Sequence, residues 1–223
     1  MATQPVPVVT AFDWVPDFAK GLVRDLRVRW AFEEIGEPYA VEKFGAANPR
    51  PDGYVDWQPF EQVPAFRDGA IDIFETGAIL LYIAEKHDAL LPKDEARRWQ
   101  AIAWLFAGLN SVEPSTMRYF AYAVFNADKD WAEGAREAVL PLLRQKLKRV
   151  SDALGDSEWL AGEFSIADIM MVTVLNNLRE TGFVAEYPNL AAYHARGTAR
   201  PAYKRALEAQ LADFDGPAPE GRS

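Results

Sequence analysis

QVPAFRDGAIDIFETGAILLYIAEKH, residues 62–87, runs a strand, a tight turn, a second strand and a helix start together, and every other segment is read around it. Residues 63–66 are apolar, Asp68-Gly69 is a turn signal, and Ile71 and Ile73 alternate with Asp72 ahead of Phe74, so the spacing predicts a β-hairpin. A helix follows at once, with Thr76 at the N-cap position and Ile79, Leu80 and Ile83 recurring at helical spacing. A full capping box would need Glu or Gln at 79, where the chain has Ile79, so capping accounts for Thr76 and leaves Glu75 without structural work. Glu75 is then a carboxylate beside the positive end of a helix, directly after a buried strand. Pro64 removes a ladder donor as the chain enters the first strand, which marks a sheet edge or a cis bond.

Upstream, residues 7–12 read as a strand and 13–21 as a long connection. Leu22, Leu26 and Trp30 share one helical stripe, Val28, Phe32 and Ile35 share its neighbour, and Gly36 closes the helix as a C-cap. Tyr39, Val41 and Phe44 alternate as a second strand, which completes a β-α-β unit ahead of the hairpin. Residues 46–60, rich in Pro, Gly, Asp and Asn around Trp57, are expected to form an irregular, lid-like segment.

Downstream, DALLPKD at 88–94 breaks the pattern, and almost everything after it is helical. The division that follows is an α/β domain at 1–88, a linker at 89–94, an all-α domain at 95–214 and a loose tail at 215–223. In the second domain Pro114 interrupts a long helical region, and the stretch after it is aromatic, with Tyr119, Phe120, Tyr122 and Phe125. Ser165-Ile166-Ala167-Asp168 reads as a capping box with Asp in place of Glu, so Asp168 is assigned a structural role. Two closing helices split near Arg200-Pro201.

Composition narrows the function. The chain has 223 residues, 49% of them hydrophobic, which is ample for a buried core, and its net charge of -9 argues against nucleic acid and against anionic membrane as partners. It lacks both an apolar run long enough to span a membrane and a secretion-signal pattern at its start, so a cytoplasmic location is expected. It contains no cysteine, which removes disulfides, thiolate metal sites and protein-thiol catalysis. His87 and His194 are the only histidines and lie far apart in sequence, so neither a metal site nor a Ser-His-Asp triad is expected.

The order Val-Pro, strand, turn, strand, Glu-Thr, helix closely resembles the glutathione-binding half of the thioredoxin-like domain in cytosolic glutathione transferases, and Glu33-Glu34-Ile35-Gly36-Glu37-Pro38-Tyr39 is similar to that family too. The resemblance implies a thioredoxin-like N-terminal domain followed by an all-helical bundle, with glutathione as co-substrate and no metal. It implies that Val63, beside Gln62 and a cis Pro64, offers its backbone N–H and C=O to the cysteinyl part of glutathione as an added strand. Glu75 and Thr76 would hold the γ-glutamyl end. The chemistry agrees, since a carboxylate suits an ammonium and free N–H groups at a helix N-terminus suit an α-carboxylate. Arg50, Trp57 and Gln58 are candidates for the glycyl carboxylate. Arg118, Tyr119 and Tyr122 fall where the family walls an apolar substrate pocket, and homodimerisation is the family habit.

One departure from the family pattern bears on catalysis. A glutathione enzyme must raise the ionised fraction of a thiol whose free pKa is roughly 8.5. The family does so with a Ser, Tyr or Cys at or before the first helix, where this chain has Leu22; its first serine is Ser111 and its first tyrosine Tyr39. Three replacements stand open: backbone N–H groups near residues 21–23 at the helix end, a cation from Lys20 or Arg24, or Arg118 or Tyr122 from the helical domain. Arg24 together with the helix end is the favoured catalytic candidate. The expected function is a glutathione transferase presenting its thiolate to a small apolar electrophile. The alternative is a non-catalytic binding or docking protein on the same scaffold, which the missing hydroxyl favours.

Overall fold

The structure, a computed structural model, describes residues 6–46 and 49–218. The chain divides into two compact units: one takes the chain up to Ala89 together with everything from Arg200 on, and the other is Leu90–Ala199.

In the first unit, β1 (Val8–Phe12) runs parallel to β2 (Ala40–Phe44) and antiparallel to β3 (Ala65–Asp68), and β3 pairs antiparallel with β4 (Ile71–Phe74), giving the order β2-β1-β3-β4. Parallel neighbours need a crossover, which α1 (Asp25–Ile35) supplies, while the antiparallel pair needs only the turn at Gly69, whose φ of 63° suits glycine. Val9 sits between Val41 and Phe66 in register, and Leu26, Val28, Trp30 and Phe32 of α1 are buried with Ile79, Leu80 and Ile83 of α3 (Thr76–Lys86). The hairpin, the β-α-β unit and the Gly36 cap are therefore as the sequence predicts, while the first helix begins at Asp25 rather than Leu22.

The lid-like reading of 46–60 is corrected. Within it Tyr54–Trp57 forms the short helix α2, and both aromatic rings are buried against Ala65. A buried indole needs an acceptor, and Trp57 donates its Nε1–H to the Phe66 carbonyl at 3.0 Å. Residues 47–48 of that stretch lie outside the described residues.

The last helix, α9 (Pro201–Ala212), packs against α1 in the first unit. Tyr203 meets the edge of Trp30 with centroids 4.9 Å apart, Arg200 makes a two-pronged contact with Glu34 at 2.5 and 2.8 Å, and Arg205 reaches Glu33 at 2.7 Å. The tail, expected to be loose from 215, is anchored at its start: Lys43 donates to Asp215 at 2.8 Å and the Gly216 N–H to the Asp13 carbonyl at 2.9 Å. Residues 219–223 of that expectation lie outside the described residues.

The second unit contains α4 (Glu95–Ala107), α5 (Glu113–Phe120), α6 (Ala132–Leu154), α7 (Ile166–Leu175) and α8 (Pro188–Ala199). Wider π-helical turns at Gly108–Val112 and Ala121–Phe125 bracket α5, and Pro114 lies in its first turn, where its missing N–H costs nothing. Helix α7 is buried along its whole length and packs against α4 and α8. Its start is the capping box read from sequence: the Asp168 carboxylate accepts from the N–H groups of Leu160 and Ser165 and from the Tyr193 hydroxyl at 2.9–3.1 Å.

Burial pushes the Asp168 carboxyl up to about 6 despite those donors. The folded state therefore keeps its proton where the unfolded chain has already lost it. The resulting stabilisation, on the order of 3 kcal/mol, is complete below the ordinary aspartate value and is lost as pH rises through about 6. In urea titrations between pH 4 and 7, the stability of the parent relative to Asp168→Asn is expected to fall as pH rises; a pH-independent difference would assign the group an ordinary pKa.

Candidate functional site

Register places the first two pieces of the site. Ala65 faces Phe74 across the hairpin, so the residues just before β3, Val63 and Pro64, stand opposite those just after β4, Glu75 and Thr76. The Val63-Pro64 bond is cis, and a buried relay holds the loop that carries it. The Ala65 N–H donates to Thr10 Oγ1 at 2.7 Å, Thr10 Oγ1 lies 2.8 Å from the Tyr54 hydroxyl, and Tyr54 donates to the Gln62 carbonyl at 2.6 Å. Thr10, on the central strand and fully buried, thus fixes both ends of the Gln62–Ala65 turn. The backbone N–H and C=O of Val63 have no hydrogen-bond partner among the described residues, which leaves one unpaired strand edge next to a rigid turn.

Helix α3 supplies the second face. The N-cap is Glu75, at φ 72° and without a side-chain cap bond, and Thr76 is the first helical residue, which corrects the reading of Thr76 as the cap. The threonine hydroxyl is used elsewhere: it accepts from Arg27 Nη1 at 3.2 Å, and both side chains are 3% exposed. The Glu75 side chain is exposed beside a helix N-terminus that has no acidic residue in its first turn. A carboxylate next to open N–H groups can take both charges of an α-amino acid zwitterion. The unpaired Val63 edge can take an extended peptide as an added strand.

The β1–α1 connection lies next to this pair, since Arg27 on α1 touches Thr76 on α3. Lys20 pairs with Asp17 at 2.7 Å on the surface, and Arg24 is the half-buried N-cap of α1, again without a side-chain cap bond. Leu22 lies in the turn before the helix, and no serine, tyrosine or cysteine occupies that turn. Asp25, the first residue of α1, is 1% exposed and bonded to Arg29 Nε and Gln210 Nε2, both at 2.7 Å. Loss of water raises the Asp25 pKa, and Arg29 and Gln210 oppose that rise.

The remaining sequence candidates separate. The Trp57 N–H is committed to the core, and Gln58 accepts the Phe60 N–H at 2.6 Å. Arg50 pins the chain, donating to the Glu61 carbonyl at 2.7 Å and the Gly45 carbonyl at 3.1 Å. Arg118, Tyr119 and Tyr122 belong to the second unit: Arg118 is exposed, Tyr119 packs on Phe183 and Tyr122 on Trp131. Sequence reading missed Thr10, Tyr54 and Arg27. None of the three gave a local signal: Arg27 stands beside Arg24 and Arg29 on a helix rich in charge, and Thr10 and Tyr54 are ordinary strand and loop residues until the fold joins them. Among the described residues no cluster of His, Cys, Asp and Glu is able to hold a metal, and no helix is long and apolar enough to cross a membrane.

The family model for the glutathione S-transferase N-terminal domain matches residues 8–85, and that for the C-terminal domain matches residues 133–196. A GST-like protein of Streptococcus mutans is 28% identical over 70% of this chain, a match that spans only 64% of that relative's own length. The disulfide-bond oxidoreductase YfcG of Escherichia coli is 32% identical over 70% of this chain and 76% of its own. Among solved structures, a glutathione transferase family member from Pseudomonas fluorescens, with two glutathione bound, superposes with a TM-score of 0.81 at 24% identity over 93% of this chain and 95% of that one, a likeness of fold.

Proposed function

Because the chain belongs to the glutathione S-transferase family, we propose that its first unit binds glutathione across Val63, Glu75 and Thr76 and presents the thiolate to a small apolar electrophile. The observation that carries this is the open edge at Val63 beside a helix N-terminus whose cap position holds an exposed carboxylate. Glutathione offers the complement to each part: a γ-glutamyl zwitterion for Glu75 and the α3 N–H groups, and an extended cysteinyl backbone for Val63. Pro64 and Gln62 shape the turn, with Thr10 and Tyr54 holding it. Arg24 at the N-cap of α1 is the group we assign to the sulfur, by charge and through the helix end. Catalysis is then positioning plus stabilisation of an anion, since the thiolate itself is the nucleophile. Arg118, Tyr119 and Tyr122 are the residues this reading gives to the electrophile, and a second copy of the chain is its implied partner. The Phe60 and Phe74 rings, 6.2 Å apart and exposed, are the surface that copy would cover.

A second reading has its own support in the missing hydroxyl at Leu22 and the likeness to YfcG. In a disulfide reduction the bound thiolate attacks one sulfur of a substrate disulfide and expels a thiolate. A second glutathione then displaces the other half, giving glutathione disulfide and two substrate thiols. With no cysteine in the chain, both electrons would come from glutathione.

One titration separates these. Glutathione added at neutral pH, followed by heat and by ultraviolet thiolate absorbance, is expected to bind with the thiol ionised well below its free pKa. An electrophile panel and a disulfide panel then assign the reaction, and sedimentation of the same sample weighs the dimer. Binding without thiolate would leave a ligand-holding protein, and no binding would end the glutathione reading.

A further inference from the structure

The long connection between β1 and α1 is held at both ends by one distant piece of chain, the end of α9 and the residues after it. At the near end, the Gly216 N–H donates to the Asp13 carbonyl at 2.9 Å, and Lys43 on β2 joins Asp215 at 2.8 Å and the Asp213 carbonyl at 3.2 Å. At the far end, Gln210 Nε2 donates to the Val23 carbonyl at 3.1 Å and to Asp25 Oδ1 at 2.7 Å. Arg29 ties the two ends together, donating a hydrogen bond to Asp25 and forming an ion pair with Asp213 at 2.7 Å each. Gln210, Asp25 and Arg29 are all fully buried.

We propose that Gln210 is a positioning residue for thiolate stabilisation, acting through the Val23–Arg24 peptide. This deepens the glutathione reading and rests on it. A trans peptide is planar, so a hydrogen bond that fixes the Val23 carbonyl also fixes the direction of the Arg24 N–H on the opposite side of the same plane. The Val23 carbonyl is held twice, by Gln210 and by the Leu26 N–H at 3.1 Å, while Val23's own N–H has no partner among the described residues. Without the Ser, Tyr or Cys hydroxyl or thiol of the family pattern, backbone donors in this turn carry more of the sulfur's charge, and donors stabilise an anion only when their direction is set beforehand. Gln210 also keeps the Asp25 carboxylate turned toward Arg29 and itself. That matters because an unneutralised carboxylate at the first residue of α1 would oppose a thiolate at the same helix end.

The test compares the full-length parent with Gln210→Ala, using Glu75→Ala as the binding control. The variant is expected to bind glutathione within about threefold of the parent and to raise the pKa of the bound thiol. Turnover at neutral pH is then expected to fall about tenfold through kcat and to recover as pH rises. Its amides across residues 21–26 are expected to exchange hydrogen at least tenfold faster, with or without glutathione. A folded Gln210→Ala with parental thiol titration, or with parental exchange in that turn, overturns the proposal. If the parent itself fails to bind glutathione while the variant's turn exchanges faster, the functional reading and the catalytic role fall together and the holding contact alone stands. Should Gln210→Ala not fold, Lys43→Met, which removes the bonds to Asp215 and to the Asp213 carbonyl, tests the near end with the same two readouts; it too must raise the thiol pKa.

Discussion

Glu75→Ala is expected to weaken glutathione binding about thirtyfold or more while leaving the thermal midpoint within a few degrees of the parent. The carboxylate is exposed and has no partner among the described residues, so the folded protein loses little with it. A bound ammonium, by contrast, loses its counter-charge at the moment of desolvation, which costs about 2 kcal/mol at the low end of the range for such pairs. Glu75→Gln separates charge from shape: it keeps the side chain's length at the same strained φ of 72° and is expected to lose nearly as much affinity. The measurement is calorimetric titration of all three proteins. Parental affinity in both variants would mean that the γ-glutamyl ammonium is held elsewhere.

Arg29→Met is expected to destabilise the fold by about 3–5 kcal/mol, the cost of leaving a buried charge without its partner. Arg29 and Asp25 are each 1% exposed, and Arg29 also holds Asp213. The sign of the pH dependence follows from Asp25. Its pKa is already raised by burial, and losing Arg29 removes the main group that lowers it. The folded variant therefore gains stability by taking up a proton as pH falls, and its deficit is largest at neutral pH and above. Urea midpoints at pH 5 and pH 8 check this, and Asp25→Asn combined with Arg29→Met is expected to recover part of the loss, because no lone charge remains buried. An Arg29→Met protein as stable as its parent at pH 8 would show that water reaches the pair.

The residues behind these expectations differed in how visible their surroundings were beforehand. The elements that carry Val63, Glu75 and Thr76 were legible locally, because a hairpin turn, a strand alternation and a helix start are each written within a few residues, while the roles expected of these residues came from the family resemblance. Arg27, 49 residues from the Thr76 it touches, and Tyr54, 44 residues from Thr10, carried no local signature of the bonds they make. The lid expectation for 46–60 failed for the same reason: Pro, Gly and Asp forecast turns, and nothing nearby foretold that Tyr54 and Trp57 would find the back of β3.

By itself the sequence determined the elements whose energetics are short-ranged: the hairpin, the Gly36 cap and the Asp168 capping box. It determined equally that the chain offers no thiol, and no hydroxyl at Leu22. Only the tertiary structure decided that Thr76 begins its helix instead of capping it, since the chain enters through a left-handed Glu75 and Arg27 takes the hydroxyl. Only the tertiary structure placed α9 on α1 and put Gln210 under the Val23 carbonyl, 187 residues away. The physical reason is common to these cases. A buried polar group must find a partner wherever the fold provides one, and that choice depends on which surfaces meet, which no local periodicity encodes.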